Sequence, residues 1–109
     1  MSTLPLAAYI EADVELLPPD GGGRHSPISS GYRCNCWIGR TEQGERTYND
    51  ATFYLLDKEH LDPGDRGRAR VMPHFPDDWS DLVEGSTFEL CEGRRVVGVA
   101  TIAGLFPPA

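Results

Sequence analysis

No stretch of about 18 consecutive apolar residues occurs in the chain, and the opening MSTLPLAAYIEADVELL has neither a basic lead nor an apolar run of signal length. Neither a helical membrane span nor a secretory leader is expected. No G-x-x-x-x-G-K-[ST] is present, no G-x-S-x-G elbow, no internal repeat and no sustained helical period of hydrophobic residues. A P-loop nucleotide site is thereby excluded, and catalysis from a serine elbow has no support. Cysteine is sparse: Cys34, Cys36 and Cys91 are an odd count without framework spacing, as reduced cytosolic thiols would be, and the expected location is the cytoplasm. Positive charge is short as well. Ten Lys and Arg against 17 Asp and Glu give a formal charge of -7, which as a net field opposes approach to a polyanion unless a local basic patch overcomes it.

What is present suits one domain: 109 residues, 39% hydrophobic and 25% charged, with 12 glycines and 9 prolines that favour turns over long helices. YIEADVELL places Ile10, Ala12, Val14 and Leu16 on one side and Glu11, Asp13 and Glu15 on the other, the period of a half-buried strand. Pro18, Pro19 and Gly21 to Gly23 end it in a long loop. YRCNCWIGRT, residues 32–41, reads as a second strand with Tyr32, Cys34, Cys36 and Ile38 on the inner face. Residues 42–50 look turn-like, ATFYLL (51–56) reads as a strand, and Pro63-Gly64-Asp65 closes a charged loop. RGRARVM follows as a strand that alternates Arg66, Arg68 and Arg70 with small or apolar residues. Residues 73–85 read as a loop holding at most one helical turn, and FPPA as a frayed tail. STFELC and RRVVGVATI make a hairpin turning at Glu92-Gly93. Six short strands with Gly and Pro turns predict an all-β antiparallel barrel or sandwich.

The chemistry-bearing residues have ordinary alternatives. C-x-C at Cys34 and Cys36, with His25, His60 and His74 elsewhere, is a weak zinc signature, and two thiols on one strand face read better as small core residues. Asp77 and Asp78 read as solvated turn acids. Arg66, Arg68 and Arg70 read as cross-strand partners for acids of the same sheet, although with Arg24, Arg33, Arg94 and Arg95 they could form a patch near Tyr32, Trp37 and His25.

EADVELLPPDGGGRHSPISSGYR resembles the opening of the C-terminal β-barrel domain of translation elongation factor Tu, whose pattern runs E-x-E-V-x-x-L, G-G-R-H-[ST]-P-[FI], [GN]-Y-R. Pro63-Gly64-Asp65 resembles that family's P-G-D turn, and LVEGSTFELCEGRRVVGVATI resembles its L-x-E-G-x-x-F-x-[IL]-R-E-G-G-R-T-V-G ending. The match runs from about residue 9 to 102, leaving 103–109 as a tail. The resemblance implies a single six-stranded, Greek-key-like antiparallel barrel without the family's GTP-binding and middle domains. The expected role is non-catalytic, with no cofactor and no metal. Carried over by motif, the tRNA-facing arginine falls on Arg24, the turn contact on Glu92 and Gly93, and the last arginine on Arg95. Cys91 stands where the family has arginine, Arg94 where it has glycine, and Cys34 where it has proline.

The expected site is therefore Arg24, His25, Arg33, Glu92, Gly93, Arg94 and Arg95, binding RNA or a protein partner. The net acidity and the arginine lost at 91 favour a protein-interaction module related to translation over tRNA. A hydrolytic or metal-dependent enzyme is the remote alternative.

Overall fold

The computed structural model describes residues 9–40, 42–79 and 81–106. Its strands in chain order are β1 (Tyr9–Leu16), β2 (Ile28–Ser29), β3 (Tyr32–Arg40), β4 (Arg46–Leu55), β5 (His60–Leu61), β6 (Arg66–Pro73), β7 (Thr87–Glu92) and β8 (Arg95–Phe106). Six of them close into an antiparallel barrel in the order β1, β6, β4, β3, β7, β8, with β8 returning to β1, while β2 and β5 pair apart as a small two-stranded sheet. Successive neighbours β3, β4 and β6 with β1 beside β6 make a Greek key. No helix among the described residues is long and apolar enough to cross a membrane.

Period-two patterning explains which side of each strand is buried. Ile10, Ala12, Val14 and Leu16 of β1, Cys34 and Cys36 of β3, Ala51 and Phe53 of β4, and Ala69 and Val71 of β6 all face the core. Outside, Asp13 lies opposite Arg68 and Glu15 opposite Arg66, with ion pairs of 2.8 and 3.4 Å. Arg70 departs from this pairing and lies over the Tyr9 ring, 4.1 Å from its centroid.

Several bounds differ from the sequence reading: the two-residue strands β2 and β5 lie in stretches expected as loops, and the hairpin expected to turn at Glu92-Gly93 keeps Glu92 in β7, paired with Arg95, and turns at Gly93 and Arg94. Residues 46–50, expected as a turn, belong to β4, because Tyr48 and Thr47 pair with Trp37 and Gly39 across the hairpin and Arg46 covers the Trp37 ring at 3.9 Å. Cross-strand contacts supply what a polar local pattern does not announce. The last strand continues through Phe106, which stacks on Tyr9 with ring centroids 5.2 Å apart. Residues 107–109 of the expected tail, and Thr41 at the end of the second expected strand, lie outside the described residues.

In this strand order β1 stands across the barrel from β3, and β6 across from β7. Residues 17–31 must therefore cross one mouth of the barrel and residues 74–86 the other. Each crossing delivers a buried apolar side chain. Ile28 of β2, paired with Leu61 of β5, closes the first mouth. Trp79, at the end of a 3-10 turn over Pro76–Trp79, closes the second. Its ring meets Phe88 edge-on at 5.1 Å, Phe88 meets Phe53 at 6.4 Å, and Phe53 meets Tyr32 at 6.1 Å, an aromatic column from one mouth to the other.

Trp79→Ala should lower unfolding stability in urea by about 3–5 kcal/mol. Trp79→Phe should cost much less, since the indole N–H it removes is buried with no acceptor among the described residues. Phe75→Ala, at a side chain 62% exposed, should stay within about 0.5 kcal/mol of wild type.

Candidate functional site

The first crossing begins as a tight coil. Gly21 and Gly23 both donate backbone N–H bonds to the Pro18 carbonyl, at 2.9 and 3.0 Å, and Gly22 takes a φ of 93°. At Gly23 a β-carbon would lie 2.1 Å from the Leu17 carbonyl oxygen, so only glycine lets the chain double back there. The next residue is thereby aimed at the β7–β8 hairpin.

That residue, Arg24, donates to Glu92 Oε2 in an ion pair, while its Nε and second terminal nitrogen donate to the backbone oxygen and hydroxyl of Ser26, each at 3.1 Å. Its guanidinium also sits 5.1 Å from the centre of the Tyr32 ring, and the Tyr32 hydroxyl donates to Glu92 Oε2 at 2.6 Å. Arg95 approaches the other carboxylate oxygen at 3.6 Å. Glu92 is thus the hub of a latch joining the crossing, β3 and the hairpin. Partial burial alone would raise its pKa, but the hydrogen bonds from Tyr32 and Arg24 and the charges of Arg24 and Arg95 outweigh that and hold it below the ordinary carboxylate value. The Tyr32 hydroxyl is pushed up, first by burial and then by its bond to the carboxylate.

Of the expected site residues, Arg24, Glu92 and Arg95 come together. Arg24 is not presented to solvent as expected: its side chain is only 20% exposed and each of its three guanidinium nitrogens donates to a partner within the chain. Arg33 is 66% exposed and reaches Asp50 at 3.8 Å. With Cys34, Asn35, Asp50, Cys91, Glu92 and Gly93 it lines a shallow depression of about 330 Å³. His25 and Arg94 are exposed and take no part in the latch. Glu92 pairs with Arg95 across a turn of Gly93 and Arg94, where Gly93 alone has positive φ (63°), the arrangement of a type II′ turn, so arginine fits at 94 without strain. Sequence reasoning took Tyr32 as a stacking surface and missed its hydroxyl as a ligand of Glu92. Nothing local signals that bond, because β3 and the hairpin meet only in the closed barrel.

The cysteines are all free and buried. Cys34 and Cys36 point inward as expected, with sulfurs 3.9 Å apart. The contact with Cys34, then burial, raises the Cys36 thiol well above its ordinary pKa, and burial raises Cys91, so both are neutral at pH 7. Among the described residues no three His, Cys, Asp or Glu side chains gather as a metal cluster. A wider depression of about 570 Å³ over β1, β6 and β8 is lined by Asp13, Glu15, Arg66 and Arg68, whose charges are already paired with one another.

The latch sets a pH dependence. A carboxylate held below its unfolded-state pKa contributes stability that is complete above that unfolded value and is lost as pH falls through the folded one. The stability difference between wild type and Glu92→Gln should be constant from neutrality down to roughly pH 5 and shrink below it, read as thermal midpoints across pH. Cys36, fully buried, should react with a thiol-specific disulfide reagent in native protein only as fast as the protein opens, with all three thiols reacting at once in denaturant. No protein-family model matches the chain.

Proposed function

We propose that this chain is a non-catalytic protein-interaction module related to translation, resembling the C-terminal barrel of elongation factor Tu and acting in the cytoplasm. The observation that carries this reading is the commitment of Arg24. The cation that the resemblance would set against tRNA is already bound by Glu92 and Ser26, within a chain of formal charge -7. A phosphate would have to displace a carboxylate from Arg24 to use it. Arg33 and Arg95 remain as exposed cations on the same rim, at 66% and 54%, and with the turn residue Arg94 they offer a protein surface its anchors.

Two measurements separate protein binding from tRNA binding. Titration with aminoacyl-tRNA from low to moderate salt should give weak or no binding. A tight complex whose affinity falls steeply with salt, with a log–log slope of roughly -0.7 for each phosphate contact, would instead favour RNA. Affinity capture should recover translation components with wild type and lose them with the combined Arg33→Ala, Arg94→Ala and Arg95→Ala changes. Equal recovery by that variant would count against the rim.

A further inference from the structure

The crossing over the mouth opposite the latch has the other electrical character, and Arg46 of the β3–β4 hairpin at that end lies over the Trp37 ring. From Val71 to Gly93 the sequence contains no lysine or arginine, and the crossing over that mouth carries Asp77, Asp78, Asp81 and Glu84. All four are exposed, and none is held in an ion pair among the described residues. The same crossing displays the two most exposed large apolar side chains among those described, Phe75 at 62% and Val83 at 59%.

Neither exposure comes from a loose segment. Phe75 stands between His74, whose ring is bonded to Thr52 at 2.7 Å, and the buried Pro76, and its carbonyl accepts from Asp78 N–H at 3.1 Å. Val83 sits in a reciprocal turn: Ser86 N–H donates to its carbonyl at 2.9 Å, and its own N–H donates to Ser86 Oγ at 3.1 Å. Trp79, buried between them in sequence, anchors the crossing to the core. Two apolar groups are thus held in water on a fixed frame and flanked by uncompensated carboxylates.

We infer that this mouth is a docking surface for a cationic amphipathic segment of another protein, one that covers Phe75 and Val83 with apolar side chains and sets lysines or arginines against Asp77, Asp78, Asp81 and Glu84. Charge complementarity selects that occupant. A second copy of this chain would bring the same carboxylates face to face across a two-fold axis, and RNA or an anionic membrane would meet repulsion. The surface lies at the far end of the barrel from the latched rim, so it stands or falls apart from the function proposed there.

The test uses a fluorescein-labelled, 18-residue amphipathic peptide of lysine and leucine only, titrated by anisotropy at physiological salt. Wild type should bind it, and the same peptide with glutamate in place of lysine should not bind. Phe75→Ser with Val83→Ser, which leaves the charge unchanged, should weaken binding by about tenfold or more. Asp77→Asn with Asp78→Asn and Asp81→Asn should weaken it similarly and flatten its salt dependence. Arg33→Ala with Arg94→Ala should bind as wild type does. Thermal midpoints within a few degrees of wild type establish that each variant is folded. The inference is overturned by equal affinity of the Phe75 and Val83 variant, which would mark general attraction of a polycation to an acidic protein, by absence of binding, by equal binding of the glutamate peptide, or by a wild-type dimer that Phe75→Ser converts to monomer.

Discussion

Closure of the barrel is the constraint from which the other features descend. Once β8 returns to β1, the Greek-key order sets β1 opposite β3 and β6 opposite β7, and the chain has no route between them except across the open mouths. A crossing of that kind is stable only if it buries something and satisfies its own backbone. Ile28 and Trp79 do the first, and the Pro18 and Ser86 turns do the second. The lids of this barrel are therefore parts of its core.

The two lids are fastened by different physics. Trp79 and its edge contact with Phe88 hold the far lid through apolar burial, which leaves the charges above it uncommitted. At the near lid, Glu92 gathers Arg24, Tyr32 and Arg95, so polar groups do the fastening and are withdrawn from the surface by it. At the first mouth Arg24 is committed to Glu92 while Arg33 and Arg94 stay exposed, and at the second the carboxylates of the crossing are in no ion pair among the described residues.

The sequence made the barrel strands legible wherever one face meets water and the other the core. In β1 the alternation of Ile10, Ala12, Val14 and Leu16 with acids suffices, and in β3 the inward pair Cys34 and Cys36 was readable for the same reason. Residues 46–50 were not legible, since their place in β4 rests on partners in β3 that a local window does not contain. The loop GGGRHSPISSGYR announced a special backbone, and Gly23 explains why. That Arg24 would turn onto Glu92, 68 residues later, required the fold. Exposure of Phe75 and Val83 was hidden too, because a crossing segment has no period to tell inside from outside.

Commitment of Arg24 to Glu92 is the central claim, and a double-mutant cycle reads it directly. Unfolding free energies would be measured in urea at pH 7 for wild type, Arg24→Met, Glu92→Gln and the double variant. The account predicts a favourable coupling of about 0.5–1 kcal/mol, modest because the pair is partly open to solvent. Single changes that add to within about 0.3 kcal/mol would contradict it, leaving Arg24 free for a ligand.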